Sequence, residues 1–119
     1  MMKSHNVSMW SQLNFPAAVM KHIMENPVEG ETPAARLKQV GMMSVIYYLQ
    51  IDGQETTVNN IIEYSGVSRS AFFEIIGPLL ERKLLREESI LNTGGRGRAF
   101  KFVIPDELFE SLALIQTKR

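Results

Sequence analysis

The sequence predicts a mostly α-helical single domain carrying one small β-hairpin, and three observations predict it. Apolar residues recur at helical spacing through most of the chain. A glycine turn at Gly66 separates two helical runs, each preceded by a hydroxyl residue, Thr57 and Ser68, that can cap it. Two short runs with strand signals, 84–90 and 99–104, then flank a polar, glycine-rich loop, the pattern of a hairpin.

The bounds from composition agree. A chain of 119 residues holds one domain with a real core, and 45% hydrophobic with 22% charged residues is ordinary for a soluble globular protein. With no cysteine, disulfides and thiolate metal sites are excluded. His5 and His22 have no partners at ligand spacing, so no metal or cofactor is expected. The longest apolar stretch, 40–49, is too short to span a bilayer, and the N-terminus lacks the apolar core of a signal peptide. A cytoplasmic protein with no membrane association is the expectation. No nucleophile–base pair or general acid–base constellation is visible, so an enzyme is not expected.

Along the chain, residues 1–31 form an N-terminal extension, 32–104 the core and 105–119 a C-terminal helix. Residues 1–13 read as weakly ordered. Asn14 is a candidate N-cap for a helix over 15–24, with Pro16 in its tolerant first turn. Asn26-Pro27 ends it. Thr32 followed by Pro33 starts the next helix, 33–50, which Asp52-Gly53 stops. The second half of that helix is apolar nearly all round: Val40, Met42, Met43, Val45, Ile46, Tyr47, Tyr48 and Leu49. A small domain rarely covers both sides of such a helix, so a partner subunit is the expected cover. Val40, Met43 and Tyr47 are the expected dimer contacts. A pocket for a small-molecule effector lined by Met42, Met43, Tyr47 and Tyr48 is the weaker alternative.

Thr57 caps a helix over 58–65, with Val58, Ile61 and Ile62 inward, and Gly66 ends it. Ser68 caps the following helix, in which Ala71, Phe72, Ile75, Ile76 and Leu79 share one face. Pro78 inside that run lacks a backbone donor, so a kink or break is expected around Gly77-Pro78. The strands are 84–90 and 99–104, joined by a tip holding Arg96 and Arg98. Pro105-Asp106-Glu107 opens the last helix, in which Leu108, Leu112 and Ile115 form a stripe and extend the dimer surface.

Net charge is zero, but its distribution is uneven. Residues 66–104 carry seven basic side chains (Arg69, Arg82, Lys83, Arg86, Arg96, Arg98, Lys101) against four acidic ones (Glu74, Glu81, Glu87, Glu88). A short helix, a glycine turn and a second helix opening Ser68-Arg69-Ser70 suit major-groove docking, and the basic tip beside them suits phosphate or minor-groove contact. The tip is not a phosphate-binding P-loop, because no Gly-Lys-Ser/Thr follows.

Gly66-Val67-Ser68-Arg69-Ser70, together with Leu79-Leu80-Glu81-Arg82-Lys83-Leu84-Leu85-Arg86, resembles the winged-helix domain of bacterial MarR-type transcriptional regulators. The resemblance covers roughly residues 45–104. It implies a winged helix-turn-helix with extra N- and C-terminal helices, acting as a homodimer on a palindromic double-stranded DNA operator. Ser68, Arg69, Ser70, Phe73, Arg96, Arg98 and Lys101 are the expected DNA contacts. Phe72, Phe73 and Glu74 depart from the family's small, polar or basic residues there. Phe72 is expected inside; Phe73 faces either core or solvent; Glu74 would repel phosphate. A plasmid replication or partition protein would need the same groove chemistry. A winged helix used for protein interaction is the rival from another class.

Overall fold

The computed structural model describes residues 7–91 and 98–108. Four helices come first: α1 Val7–Met24, α2 Pro33–Ile51, α3 Val58–Ser65 and α4 Arg69–Glu81. An antiparallel hairpin follows, β1 Arg86–Leu91 and β2 Arg98–Val103, in register from Arg86↔Val103 to Leu91↔Arg98. The architecture is thus mostly helical with one small two-stranded sheet. Among the described residues no helix is long and apolar enough to cross a membrane.

Local chemistry sets the helix ends. The Thr32 hydroxyl accepts from the Ala35 amide at 3.0 Å, with Pro33 in the first turn. Thr57 does the same for Asn60 at 3.2 Å, and Ser68 for Ala71 at 3.1 Å. Gly66, at φ +81°, closes α3 in the left-handed conformation and reverses the chain into α4. α2 and α4 end in the same motif. Gln54 N–H donates to the Leu49 carbonyl after α2, and Leu84 N–H to the Leu79 carbonyl after α4. The left-handed position is Gly53 in the first case and Lys83, at φ 62°, in the second.

The core forms where α2 is covered by α1 on one side and by α4 and the hairpin on the other. Phe15, Val19 and Ile23 of α1 are buried, as are Met43, Ile46 and Leu49 of α2 and Phe72, Ile76 and Leu79 of α4. Phe72 meets Phe102 of β2 edge-on, with centroids 5.6 Å apart. The linker before α3 also joins the sheet: Phe102 N–H donates to the Thr56 carbonyl at 3.0 Å, the buried Thr56 hydroxyl donates to the Phe102 carbonyl, and Thr57 bridges to Lys101.

Several expectations change. α1 begins at Val7, so Asn14 is not its cap and Pro16 sits inside it. Proline costs the helix one backbone bond, to the residue-12 carbonyl, and burial of Phe15, Ala18, Val19 and Ile23 against α2 outweighs that loss. α4 likewise continues through Pro78. Only the bond to the Glu74 carbonyl is forfeited, while Phe72, Ile76 and Leu79 anchor the helix on both sides of the proline. The cover for Met43 and Tyr47 is α1 of the same chain, not a partner: Tyr47 stacks on Phe15 with centroids 5.0 Å apart. Val40 is half-buried against the same core, and so is Leu108. Met43 and Tyr47 are thus spent inside the chain and are not the exposed dimer contacts expected of them, whereas Val40 and Leu108 keep part of their surface in solvent. Leu112 and Ile115 lie outside the described residues, and of the last helix only the turn at 106–108 falls within them.

Candidate nucleic-acid interface

The turn at Gly66 and the cap at Ser68 bring the first turns of α4 to the surface. One side of α4 is inward, with Phe72, Ile76 and Leu79 fully buried. The opposite side presents Arg69, Ser70, Phe73 and Glu74 to solvent. Ser68 is exposed too, but its hydroxyl is engaged as the helix cap. Phe73 is 50% exposed and leans edge-on against Phe72 at 5.0 Å, which decides the open question of its direction. Arg69 donates to the Asn59 side-chain oxygen of α3 at 3.4 Å, a long bond. No carboxylate among the described residues lies within ion-pair distance of it.

The other basic residues of this half of the chain are mostly neutralised. Lys101 pairs with Glu55 at 3.5 Å. Arg86 pairs with Glu88 at 3.3 Å and with Glu107 at 3.6 Å. Arg98 sits in β2, opposite Leu91, and Arg96 lies outside the described residues. The positive excess read from the sequence therefore does not all face one partner. Along α3 and α4 it reduces to Arg69.

Arg82 is the clearest case of charge turned inward. Its side chain is only 7% exposed and forks onto Glu31, with Nη2 to Oε1 at 2.9 Å and Nη1 to Oε2 at 3.4 Å. It also donates to the Gln39 side-chain oxygen at 3.1 Å and to the Asn26 carbonyl at 2.9 Å. Glu31 accepts further bonds from Gln39 Nε2 at 2.6 Å and from the Val28 amide at 3.2 Å. Burial pushes the Glu31 carboxyl upward, but the Gln39 and Val28 bonds and the Arg82 and Arg36 charges outweigh it, leaving its pKa below the usual 4.5. This clasp ties the C-terminal end of α4 to the α1–α2 connector and to α2. Sequence reading missed it, although Gln39 was a signal: it shares the inward face of α2 with Met42, Met43 and Ile46, where a polar group needs a partner.

A cleft of about 510 Å³ opens beyond the clasp, between the end of α4 and the hairpin base, lined by Leu80, Lys83, Leu85, Arg86, Pro105, Glu107 and Leu108. It lies at the opposite end of α4 from Arg69, so the exposed first turns and the cleft are separate surfaces. No family model matches the chain, and no curated protein matches it in sequence.

Proposed function

We propose that this chain is a winged-helix protein that binds double-stranded DNA as a transcriptional regulator, as its resemblance to the MarR-type family implies. The observation that carries the reading is the outward side of α4. An arginine free of carboxylates stands one residue past the cap, beside a serine, on a helix whose opposite side is buried. That is the part of a recognition helix that meets base edges. The bridge from Thr57 to Lys101 adds support, since it sets the start of α3 against the hairpin and so fixes the hairpin beside the helix-turn-helix.

In this reading Arg69 donates to guanine or to phosphate, Ser70 adapts to either, and Phe73 packs on a thymine methyl. Glu74 lies one turn beyond Ser70 on the same side. It accepts from a cytosine amino group where one is present and repels phosphate elsewhere. Arg96 and Arg98 supply the backbone or minor-groove contact of the wing, with Lys101 behind them.

The test is selection of a duplex from a random pool, followed by affinity measurement at two salt concentrations. Affinity that falls steeply with salt is expected. A chain that enriches no duplex, or binds without salt dependence, would falsify the reading. The half-exposed Phe73 beside Glu74 favours one rival, a winged helix that meets a protein. In that case Glu74→Lys breaks a protein complex instead of strengthening nonspecific DNA binding.

A further inference from the structure

The side of α2 that points to solvent carries an uncharged stripe, with Lys38 at its border. Ala34, Leu37, Gly41, Ser44, Tyr48 and Ile51 fall on one face of the helix, and all are exposed. Three of them are large and apolar, with Leu37 60% exposed, Tyr48 42% and Ile51 55%; Tyr48 stacks on the exposed Tyr64 of α3, centroids 5.4 Å apart, and keeps its other ring face in solvent. An ordinary surface helix carries charged side chains on this side. The inner face of α2 is already covered by α1 and α4, so a second apolar face is left over. Gly41 sharpens the point. A glycine inside a helix is destabilising relative to alanine, yet a Cβ added there would meet nothing within 4 Å. No contact among the described residues explains its lack of a side chain.

We propose that a second copy of this chain covers the face, its α2 running antiparallel to the first across a two-fold axis at Ser44. The stripe is complementary to itself in that arrangement. Leu37 falls opposite the second copy's Ile51, and the Tyr48 ring falls over the gap at Gly41. Ser44 meets its own symmetry mate, and the small pair at the centre lets the helices approach. Charge agrees: Lys38, at one border of the stripe, falls opposite Asp52 at the other end. Neither has an opposite-charge partner within its own chain among the described residues. Asp52 also stands at the negative end of its own helix, an unfavourable place that the second copy's Lys38 relieves. A two-fold pair uses one patch twice, so both match-ups occur twice. The contacts differ from the Met43 and Tyr47 set, which faces inward. The inference does not rest on the DNA-binding reading.

The absence of cysteine from the chain supplies a direct test. In Ser44→Cys the only disulfide that can form joins two copies at the axis, where the cysteines fall within bonding range. Mild oxidation should give a near-complete covalent dimer. The control Lys38→Cys, far from its own symmetry mate, should give little. Sedimentation of the unmodified chain should show a dimer. Ser44→Arg should weaken it at least about 30-fold, the loss of one strong interface contact, without shifting the denaturation midpoint of the monomer. Lys38→Glu and Asp52→Lys should each weaken the dimer, and the two together should restore it. A chain that stays monomeric at high micromolar concentration overturns the proposal. So does a dimer indifferent to Ser44→Arg, or a Ser44→Cys variant that cross-links no better than the control. A monomer that still binds DNA removes this interface alone; a dimer of this kind that binds no duplex removes the DNA reading alone.

Discussion

Arg69 and Arg82 bracket the same helix and have opposite fates. Arg69 opens α4, exposed, with one long bond to Asn59. Arg82 caps its other end, buried, with bonds to Glu31, Gln39 and the Asn26 backbone. The guanidinium is the same; the surroundings are not. At the N-terminal end of α4 the neighbours are a tight turn and a short helix, which leave the side chain in water. At the C-terminal end the α1–α2 connector folds over it. Charge counted along a sequence is therefore a poor guide to charge offered to a partner, because a buried arginine is consumed where it stands.

The comparison is broken first by deleting each arginine. Arg82→Ala leaves Glu31 with only the more distant Arg36, at 3.9 Å, and strips its charge-assisted bonds, which should cost about 1.5–3 kcal/mol of folding stability. Arg69→Ala should stay within about 0.5 kcal/mol of the parent. Urea denaturation of both variants measures the difference, and equal losses would dissolve the contrast. A double change, Glu31→Gln with Arg82→Ala, should cost less than the two single losses added, because the stranded charge is gone.

Function should invert the order. Arg69→Ala should cost about 1–3 kcal/mol of DNA binding at a selected site, and less if it touches only phosphate. Titration of the variant with the selected duplex reads this directly. Unchanged affinity would remove Arg69 from the interface.

Acid probes the clasp alone. The Glu31 pKa is lowered in the folded chain, so its contribution to stability is present above the ordinary value near 4.5. It is lost as pH falls from there through the lowered native value. Stability measured down that acid limb should fall less steeply in Glu31→Gln than in the parent. Parallel curves would mean that the carboxylate gains nothing from its partners.

The smallest effect belongs to the turn just beyond Arg82. Gly53 and Lys83 occupy the same left-handed position after two helices, but only the glycine is free of strain there. Lys83→Gly should stabilise the fold by about 0.5–1 kcal/mol, since the relief of left-handed strain exceeds the added chain entropy. A loss of stability would show that the lysine side chain contributes something its position does not reveal.

What the amino-acid sequence determined by itself was local. Thr32-Pro33, Thr57, Gly66 and Ser68 set the ends of α2, α3 and α4, because capping and left-handed turns depend on a few adjacent residues. The inward side of α4 was legible in Phe72, Ile76 and Leu79, where apolar and polar residues alternate at the helical period. Tertiary structure decided the rest. Prolines 16 and 78 mark helix ends in isolation, yet both helices run through them, since burial on either side outweighs one missing hydrogen bond. The second half of α2 gave no contrast between faces, being apolar nearly all round, so only the docking of α1 showed that Tyr47 is inside and Tyr48 outside. Arg82 meets a carboxylate 51 positions away. No local pattern encodes a pairing at that separation; it exists only once the connector has folded across the end of α4.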